Sequence, residues 1–504
     1  MRKRILAIIA ALLVTAASCS RRDAVPKRTN YDLKTVHLHV VYFCGQCHAA
    51  PEPDTFPRYQ WPKEVKQGFG FYEQSGKTAS VVPSVDEVVW YYQSLAPKEL
   101  QLSQPPVDKN PGRVQFERAM IAVDDHVDFP AVSNIHWMAP ADGKPGSLLF
   151  CDMGSGDVER VTFHGRHSSR EALTRIPNPA HVLPSDLDRD GHSDLLLANL
   201  GSFFPADHHK GSVVWARWNP SADRYHRITV ADKLGRVADV EPADFDGDGD
   251  TDLVVAEFGW RTTGHILLLE QLPTTAPEQP RFKKHILDER HGTIHVPVND
   301  LNGDGRPDFV ALISQEHETV VAFLNRGRGH FEKKTIFAAN NPSFGSSGIQ
   351  LVDFDRDGDL DVLYTNGDNL DSGILKPYHA VRWLENQGSY PFVPHLLAKM
   401  PGAYRAVAGD FDGDGDLDVV ACAMFGRPEK TISKLIWLEQ QSPNKVVRHD
   451  LRSYDSAAVL DIGDFDGDGR LDIAVAHTYA NPNPDRNWLT ILWNLGTQSS
   501  ANNH

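Results

Sequence analysis

An acidic nine-residue pattern occurs six times in this 504-residue sequence, and the copy nearest the C-terminus is DFDGDGRLD. In every copy, positions 1, 3, 5 and 9 carry a side-chain oxygen and position 6 is glycine. Position 7 varies between acidic and basic residues, which suits a position that offers only its backbone carbonyl. Carboxylates that alternate around a glycine turn predict a site for a hard cation, and an all-protein oxygen set favours Ca²⁺ over Mg²⁺.

The sequence therefore predicts about six Ca²⁺ ions per chain. The predicted ligands are Asp186, Asp188, Asp190 and Asp194; Asp244, Asp246, Asp248 and Asp252; Asp300, Asn302, Asp304 and Asp308; Asp353, Asp355, Asp357 and Asp361; Asp410, Asp412, Asp414 and Asp418; and Asp464, Asp466, Asp468 and Asp472. A solvated acidic turn would explain one copy, because Asp and Gly are common turn residues. It does not explain four positions that keep their oxygen side chains in all six copies.

These loops differ from EF-hands, which end on a glutamate at position 12. Position 12 here is never a glutamate and lies inside a short apolar run, such as LDVVACA. Runs of this length and composition are typical of buried strands. Each loop is therefore expected to lead into a strand, with the aspartate at position 9 closing the cation site.

A second motif with chemistry is Cys44-x-x-Cys47-His48, which is the attachment signature of a c-type haem. The thiols would form thioethers with the porphyrin, and His48 would be the axial ligand of the iron. A zinc site would need further paired ligands, and a thioredoxin-type pair would need a βαβ pattern around it. Neither is evident in the surrounding sequence, so we predict one haem c.

The second axial ligand of this haem has no obvious source. Residues 49–119 contain no methionine. The sixth position of the iron is therefore expected to be open, or to be filled by Met120 or Met138. His37 and His39 lie upstream of the motif, although a single histidine is more often structural.

The elements that position these motifs follow from the repeat period of about 55 residues. Each period contains four strand-like runs, which is the size of one propeller blade. A seventh unit, FPAVSNIHWMAPADGKPGSLLFCDMGSGDVERV, aligns with the others but lacks most of the acidic residues. We predict a mainly β protein with a seven-bladed propeller over residues 113–497, whose last blade is completed by a strand near residue 113.

The six loops resemble those of the FG-GAP or VCBS repeat family over roughly residues 113–497. This resemblance implies an integrin-α-like β-propeller with calcium in its blade loops, and it implies no particular function. The preceding block, residues 31–100, resembles the small α-helical cytochrome c-like modules that precede FG-GAP propellers in some bacterial secreted proteins. The segments CGQCHAAPEPDTFPRYQWP and VVWYYQSLAPKEL carry that second resemblance.

Polar residues recur at two equivalent positions of the repeats. They are His181, Asp239, His295 and Arg405 before the loops, and Asn199, Glu257, Asn366 and His477 at the end of the strands that follow them. We expect the strand after each loop to be the first of its blade and to line the central channel, so that these residues form a ligand-binding face. The alternative is that they are polar because the mouths of channels are wet.

The N-terminus predicts export. Residues 1–18 combine the basic MRKR with the apolar run ILAIIAALLVTAA, which is typical of a signal peptide and too short for a membrane span. Cys19 follows two alanines and a serine, as in a bacterial lipoprotein, and plain secretion is the alternative. Residues 19–30 are predicted to be a tether, 101–112 a proline-rich linker and 498–504 a disordered tail. The predicted location is periplasmic or cell-surface, with a lipid anchor in the outer membrane.

The formal net charge of −16 reflects the predicted metal sites, because six Ca²⁺ ions would cancel most of it. No basic patch suggests a nucleic-acid partner. We expect electron transfer or redox sensing coupled to the binding of a redox partner, a carbohydrate or another protein. Two alternatives stay open, a haem-coupled oxidoreductase that acts on a substrate on the propeller face, and an adhesion module. No catalytic residue is predicted.

Overall fold

The computed structural model describes residues 31–102, 114–122, 127, 130–141, 143–424, 434–451, 457–478 and 487–497. The predicted signal peptide, Cys19, most of the predicted linker and the predicted tail lie outside these residues. Within the described part, no helix has the length and apolar character needed to cross a membrane. Two compact units are present, one with described residues 31–46 and 57–98, the other with 47–56 and the strands from residue 114 onwards.

The described residues of the first unit form three α-helices: α1 (Leu33–Cys44), α2 (Trp61–Ser75) and α3 (Val85–Leu95). Helix α1 begins where the side chain of Asp32 accepts the N–H of Thr35 at 2.9 Å, which satisfies a backbone donor of the first turn. Its buried face is spaced by three to four residues, as an amphipathic helix requires. The rings of Trp61 and Tyr92 stack 3.6 Å apart in the aromatic core between the helices.

The second unit is built of strands. In chain order they are β1 (Val114–Ala122), β2 (Val132–Met138), β3 (Ser147–Asp152), β4 (Asp157–His164), β5 (His167–Arg175), β6 (Pro179–Ser185), β7 (Asp194–Asn199), β8 (Gly211–Asn219), β9 (Arg224–Leu234), β10 (Val237–Ala243), β11 (Asp252–Glu257), β12 (His265–Leu272), β13 (Arg281–Asp288), β14 (Thr293–His295), β15 (Val298–Asn299), β16 (Asp308–Ile313), β17 (Thr319–Asn325), β18 (Phe331–Ala338), β19 (Ser346–Val352), β20 (Asp361–Asn366), β21 (Ala380–Glu385), β22 (Val393–Lys399), β23 (Ala403–Gly409), β24 (Asp418–Ala423), β25 (Leu435–Ser442), β26 (Lys445–Asp450), β27 (Ala457–Gly463), β28 (Asp472–His477) and β29 (Asn487–Thr497). A short 3₁₀ turn, Pro53–Thr55, precedes them.

These strands form seven antiparallel blades. The blades are β2–β5, β6–β9, β10–β13, β14–β18, β19–β22, β23–β26, and β27–β28–β29–β1. In blade four, β14 and β15 share the innermost position against β16. The innermost strands contact one another in cyclic order, from β2 through β6, β10, β14, β19 and β23 to β27 and back to β2. This order closes the ring of a seven-bladed propeller.

The core lies between neighbouring blades. The second strand of each blade, such as β7 or β28, is buried over all six of its residues. This burial on both faces agrees with the continuous apolar runs in the sequence. Each neighbouring pair of blades shares one apolar cluster, and the cluster between blades seven and one includes Phe150 and Trp488, whose rings lie 5.4 Å apart.

The predicted seven-bladed propeller is confirmed, and so is its closing strand, since β1 pairs with β29 as the outermost strand of the last blade. One part of the strand assignment was wrong. The strand that follows each acidic loop is the second strand of its blade, and the strand before the loop lines the channel. A repeated four-strand cycle has the same sequence pattern wherever the blade boundary falls, so the period alone did not identify the innermost strand.

Candidate functional site

The six acidic loops join the innermost strand of a blade to its second strand. In each loop, the carboxylate of the position-1 aspartate accepts hydrogen bonds from backbone N–H groups of the same loop. In the last copy, Asp464 accepts the N–H of Gly467 at 2.8 Å and the N–H of Gly469 at 2.9 Å. The bond from the glycine at position 6 recurs in the loops that begin at Asp186, Asp244, Asp300, Asp353 and Asp410. Hydrogen bonds between the position-1 carboxylate and the loop backbone therefore hold each loop in its turn.

Two positions of each loop have a left-handed backbone. The glycine at position 6 has φ between 81° and 99°, for example 86° at Gly469. Position 4 is left-handed as well, with φ of 80° at Gly467 but 59° and 62° at Arg189 and Arg356. Glycine adopts this region without the penalty that other residues meet. Glycine at position 4 in four of the six copies was a visible signal of this turn, and sequence reasoning missed it.

The aspartate at position 9 is buried in every copy. Asp472, at the start of β28, accepts the N–H of Asn494 at 2.7 Å through Oδ1 and the N–H of Phe465 at 3.0 Å through Oδ2. Asp252, Asp308, Asp361 and Asp418 accept the equivalent pair of bonds. Asp194 instead accepts the backbone N–H of Trp218 and the indole N–H of Trp215. This carboxylate thus connects the loop to the third strand, a role that sequence reasoning did not anticipate.

Electrostatics in these loops disfavour the ionised state of the buried carboxylates. The pKa of Asp472 is raised to about 7, chiefly by burial, and the neighbouring carboxylates of Asp466 and Asp468 contribute in the same direction. The pKa values of Asp252 and Asp418 also rise to about 7, chiefly through burial. Like charges that crowd a partly buried site favour a counter-cation.

Ligand atoms converge in at least three loops. Three carboxylate oxygens, one from each residue of a set, lie within 4.8 Å of one another in the sets Asp186, Asp188 and Asp194; Asp244, Asp246 and Asp248; and Asp353, Asp355 and Asp357. Several oxygens around a glycine turn, with no nitrogen or sulfur among them, match the donor set of Ca²⁺. The residues present therefore fit the predicted ion.

Arginines compete with a cation in some loops. Arg306 and Arg470, at position 7, donate to the position-5 carboxylates of Asp304 and Asp468. Each also donates Nε to a carbonyl oxygen of the third strand at 2.9 Å, as in Arg470 to Asn494. The expectation that position 7 offers only its backbone carbonyl was wrong for these two loops, because the arginine side chains also make contacts there.

The haem motif lies at the end of a helix. Cys44 is the last residue of α1, residues 45–47 form a turn, Cys47 is exposed and His48 is half-buried. Nδ1 of His48 lies 2.8 Å from the carbonyl oxygen of Ala49. With its proton on Nδ1, the imidazole donates to that carbonyl and keeps the lone pair of Nε2 for a metal ion, which is the usual arrangement of a ligating histidine.

The other candidate axial ligands have partners of their own. Nδ1 of His37 lies 2.7 Å from the hydroxyl of Tyr91, and Nδ1 of His39 lies 2.8 Å from Oε1 of Glu87. Met120 is 51% exposed on β1, the outermost strand of blade seven. Met138 packs against the apolar cluster between blades one and two.

The predicted ligand face divides into two sets of residues. Four of the predicted residues lie at the ends of second strands and are buried: Asn199, Glu257, Asn366 and His477. Contrary to the prediction, they do not line the channel. Their side chains make local bonds, such as His477 Nε2 to the hydroxyl of Thr490 at 2.8 Å and Asn366 Nδ2 to the carbonyl of Phe344 at 3.0 Å. These bonds account for their polarity without a ligand.

The second set does lie on the innermost strands. His181 lies on β6, Asp239 on β10, His295 on β14 and Arg405 on β23. Nδ1 of His181 lies 2.7 Å from Oδ1 of Asp239, and Nδ1 of His295 lies 3.8 Å from Oδ2 of the same aspartate. The carboxylate of Asp239 and burial act in opposite directions on these imidazoles, so that the pKa of His181 is raised and that of His295 is lowered.

Comparison with known proteins supports the repeat assignment. A family model described as FG-GAP-like repeat matches residues 186–255 and 300–364, and each stretch begins at an acidic loop. Cartilage acidic protein 1 of Homo sapiens is 23% identical over 423 residues, which cover 77% of this chain and 61% of that protein. The Xenopus tropicalis protein of the same name is 25% identical over 427 residues, 76% of this chain and 62% of that protein.

This chain thus spans about three fifths of the length of these relatives. A solved structure of the Dos1 propeller superposes with a TM-score of 0.44 and 9% sequence identity, covering 73% of this chain and 80% of that chain. The blades, their loops and the matched family model lead to one assignment. This chain is a seven-bladed β-propeller that carries FG-GAP-like repeats.

Proposed function

We propose that this protein is exported, binds about six Ca²⁺ ions in its blade loops and carries one c-type haem, and that it acts in electron transfer or redox sensing coupled to ligand binding. The motif Cys44-x-x-Cys47-His48, with Nδ1 of His48 directed to a backbone carbonyl, carries the proposal. When bound, the haem would supply one-electron chemistry. The thiols of Cys44 and Cys47 would hold it, and Ala49 would orient the ligating imidazole.

The segment after the motif supports a coupling to the propeller. Residues 47–56 belong to the same compact unit as the blades. The ring of Phe56 is buried, with Nζ of Lys376 4.8 Å from its centroid. Lys376 is 3% exposed and also donates to the carbonyl of Ser343 at 2.7 Å. Within the second unit, the segment that contains Phe56 therefore packs against the loop that precedes β21 of blade five.

Calcium binding is supported by loops whose backbone is already folded around the first carboxylate. Such a site needs little rearrangement to accept a cation. Export fits this proposal because extracellular calcium concentrations can fill weak sites. It also fits relatives that are named after cartilage.

A haem-coupled oxidoreductase is the second candidate, and the polar cluster in the channel favours it over adhesion. In that case a substrate, such as a carbohydrate, would bind to the propeller and reduce the haem. Reduction of the haem by a candidate substrate alone would identify the enzyme. Reduction only through a redox protein would identify electron transfer.

The haem itself is tested by expressing the full chain together with a c-type haem maturation system. We expect a coloured protein that keeps its haem after denaturation and acid–acetone extraction, because thioether bonds survive both treatments. His48→Ala should disturb attachment and change the spectrum, and the control variant His164→Gln, at an exposed histidine that ends β4, should change neither. A colourless protein with zinc at the cysteines would reject the haem and, with it, the electron-transfer function.

A further inference from the structure

Equivalent positions of the seven innermost strands form a ring of residues around the propeller channel. Each member pairs with the fifth residue of its second strand, as His181 pairs with Ala198. The members are Asn134, His181, Asp239, His295, Gly348, Arg405 and Val459. An irregularity in the pairing register comes directly before every one of them. Such bulges redirect side chains, here in the same way in each blade.

The backbone of the ring is repeated, but its chemistry is not. Three consecutive blades contribute His181, Asp239 and His295, whereas glycine and valine stand at two of the other positions. Glu241 lies two residues after Asp239 on β10 and therefore on the same face of the strand. One ligand atom each from His181, Asp239 and Glu241 lies within 4.8 Å of the other two.

Part of this cluster has a structural role. Oδ2 of Asp239 accepts the N–H of Val296 at 3.0 Å and so connects blades three and four. Asn134 makes a similar bond to the N–H of Val182, and Arg405 donates to the carbonyl of Ile349 at 2.8 Å. These bonds satisfy backbone groups on the free edges of the innermost strands. They do not require a histidine at either neighbouring position.

Nδ1 of His181 is the atom that such bonds leave unexplained. It is buried and lies 2.7 Å from Oδ1 of Asp239. A nitrogen and a carboxylate oxygen that face each other in this way, with a second carboxylate beside them, are placed to share a cation.

We propose that His181, Asp239 and Glu241 bind a divalent transition-metal ion of the Zn²⁺ type in the propeller channel, with His295 as a fourth ligand. Imidazole and carboxylate together suit Zn²⁺, whereas Ca²⁺ takes oxygen ligands. Ligands in a tetrahedral zinc site lie roughly 3.4 Å from one another. Nδ1 of His181 lies 2.7 Å from Oδ1 of Asp239, and Nδ1 of His295 lies 3.8 Å from Oδ2, the other oxygen of that carboxylate.

The site is tested on the full chain, kept in excess Ca²⁺ so that the acidic loops are filled. Titration with Zn²⁺ in a calorimeter should give about one ion bound through this cluster, and X-ray absorption at the zinc edge should show imidazole among the ligands. His181→Ala and Glu241→Gln should each weaken Zn²⁺ binding by about tenfold or more. Asp239 is left unchanged because it also connects two blades.

His291→Gln is the matched control. His291 belongs to another group, with Glu316 and His317, whose ligand atoms also lie within 4.8 Å of one another. The proposal predicts that this variant binds Zn²⁺ as the natural chain does. Zinc binding that is lost in His291→Gln, that persists in both channel variants, or that is absent from the natural chain would each overturn the proposal. If His181→Ala does not fold, Glu241→Gln and His295→Gln decide the question by the same measurement.

Discussion

Arg217, on the third strand of blade two, lies across the acidic loop that begins at Asp186, with its Nη2 atom 2.8 Å from Oδ2 of Asp190. Its Nε donates to Asp188 in the same loop. Guanidinium groups take similar positions over Asp304 and Asp468 in blades four and seven. The other three loops carry an additional aspartate at position 7 instead: Asp250, Asp359 and Asp416. The six loops therefore form two electrostatic classes.

These classes should differ in calcium affinity. The loops that begin at Asp244, Asp353 and Asp410 are expected to fill first, because no arginine at position 7 competes with the ion and a fifth acidic side chain is nearby. Calorimetric titration of the chelator-treated protein should show two groups of sites. Arg217→Ala should tighten one weak site by roughly twofold to fivefold. Arg224→Ala, an exposed arginine on the neighbouring strand, is the control. A single class of sites, unchanged by Arg217→Ala, would contradict this view.

Removal of one ligand should remove one ion. Asp412→Ala should lose about one Ca²⁺ per chain in metal analysis under millimolar calcium and spare the other loops, because each site is built from one loop. A site filled to 100 times its dissociation constant stabilises the fold by about 2.7 kcal/mol, so chelation should lower the melting temperature. Asp232→Ala, in an exposed part of β9, should change neither quantity. A total of about two ions or fewer in the natural chain would reject calcium in most of the loops.

The position-9 carboxylate should stabilise the fold even when no metal ion is bound. Asp472→Asn places an amide where two backbone N–H groups require acceptors, so we expect a loss of about 1–3 kcal/mol in free energy of unfolding in the presence of chelator. Asp466→Asn, at position 3 of the same loop, should cost little under the same conditions. Denaturant unfolding with and without Ca²⁺ measures both variants. Equal losses in chelator would show that Asp472 has no separate structural role.

Sequence spacing was enough to predict the propeller, because six loops in one register and a seventh degenerate unit leave few other architectures. It could not identify the innermost strand, since contact with the central channel is a property of the closed ring. Asn199 and Glu257 were placed in the channel for that reason, and both are buried at the ends of second strands. The bond of Asp472 to β29 could not be predicted either, because it joins residues that lie 22 positions apart in the sequence.

Membrane association through Cys19 is a prediction that does not depend on the fold. If Cys19 is acylated after removal of residues 1–18, Cys19→Ser should move the protein from the membrane fraction to the soluble fraction. Haem content should stay the same, since Cys44 and Cys47 are unchanged. Fractionation together with mass spectrometry of the N-terminal peptide measures this. A natural protein that is already soluble, with an unmodified N-terminus at or after residue 19, would leave export without an anchor.

The chemistry of the haem iron depends on its sixth ligand. Residues 49–119 contain no methionine, and Met138 packs against an apolar cluster of the propeller. We therefore expect the ferrous protein to bind carbon monoxide readily and to give a high-spin or mixed spectrum, because an open or weakly held position exchanges its ligand easily. Met120→Leu should leave both properties unchanged, since Met120 is 51% exposed on an outer strand. A low-spin spectrum that ignores carbon monoxide would instead require a strong ligand from the chain. His37→Gln, His39→Gln and Met120→Leu, measured one at a time, would then show which side chain supplies it.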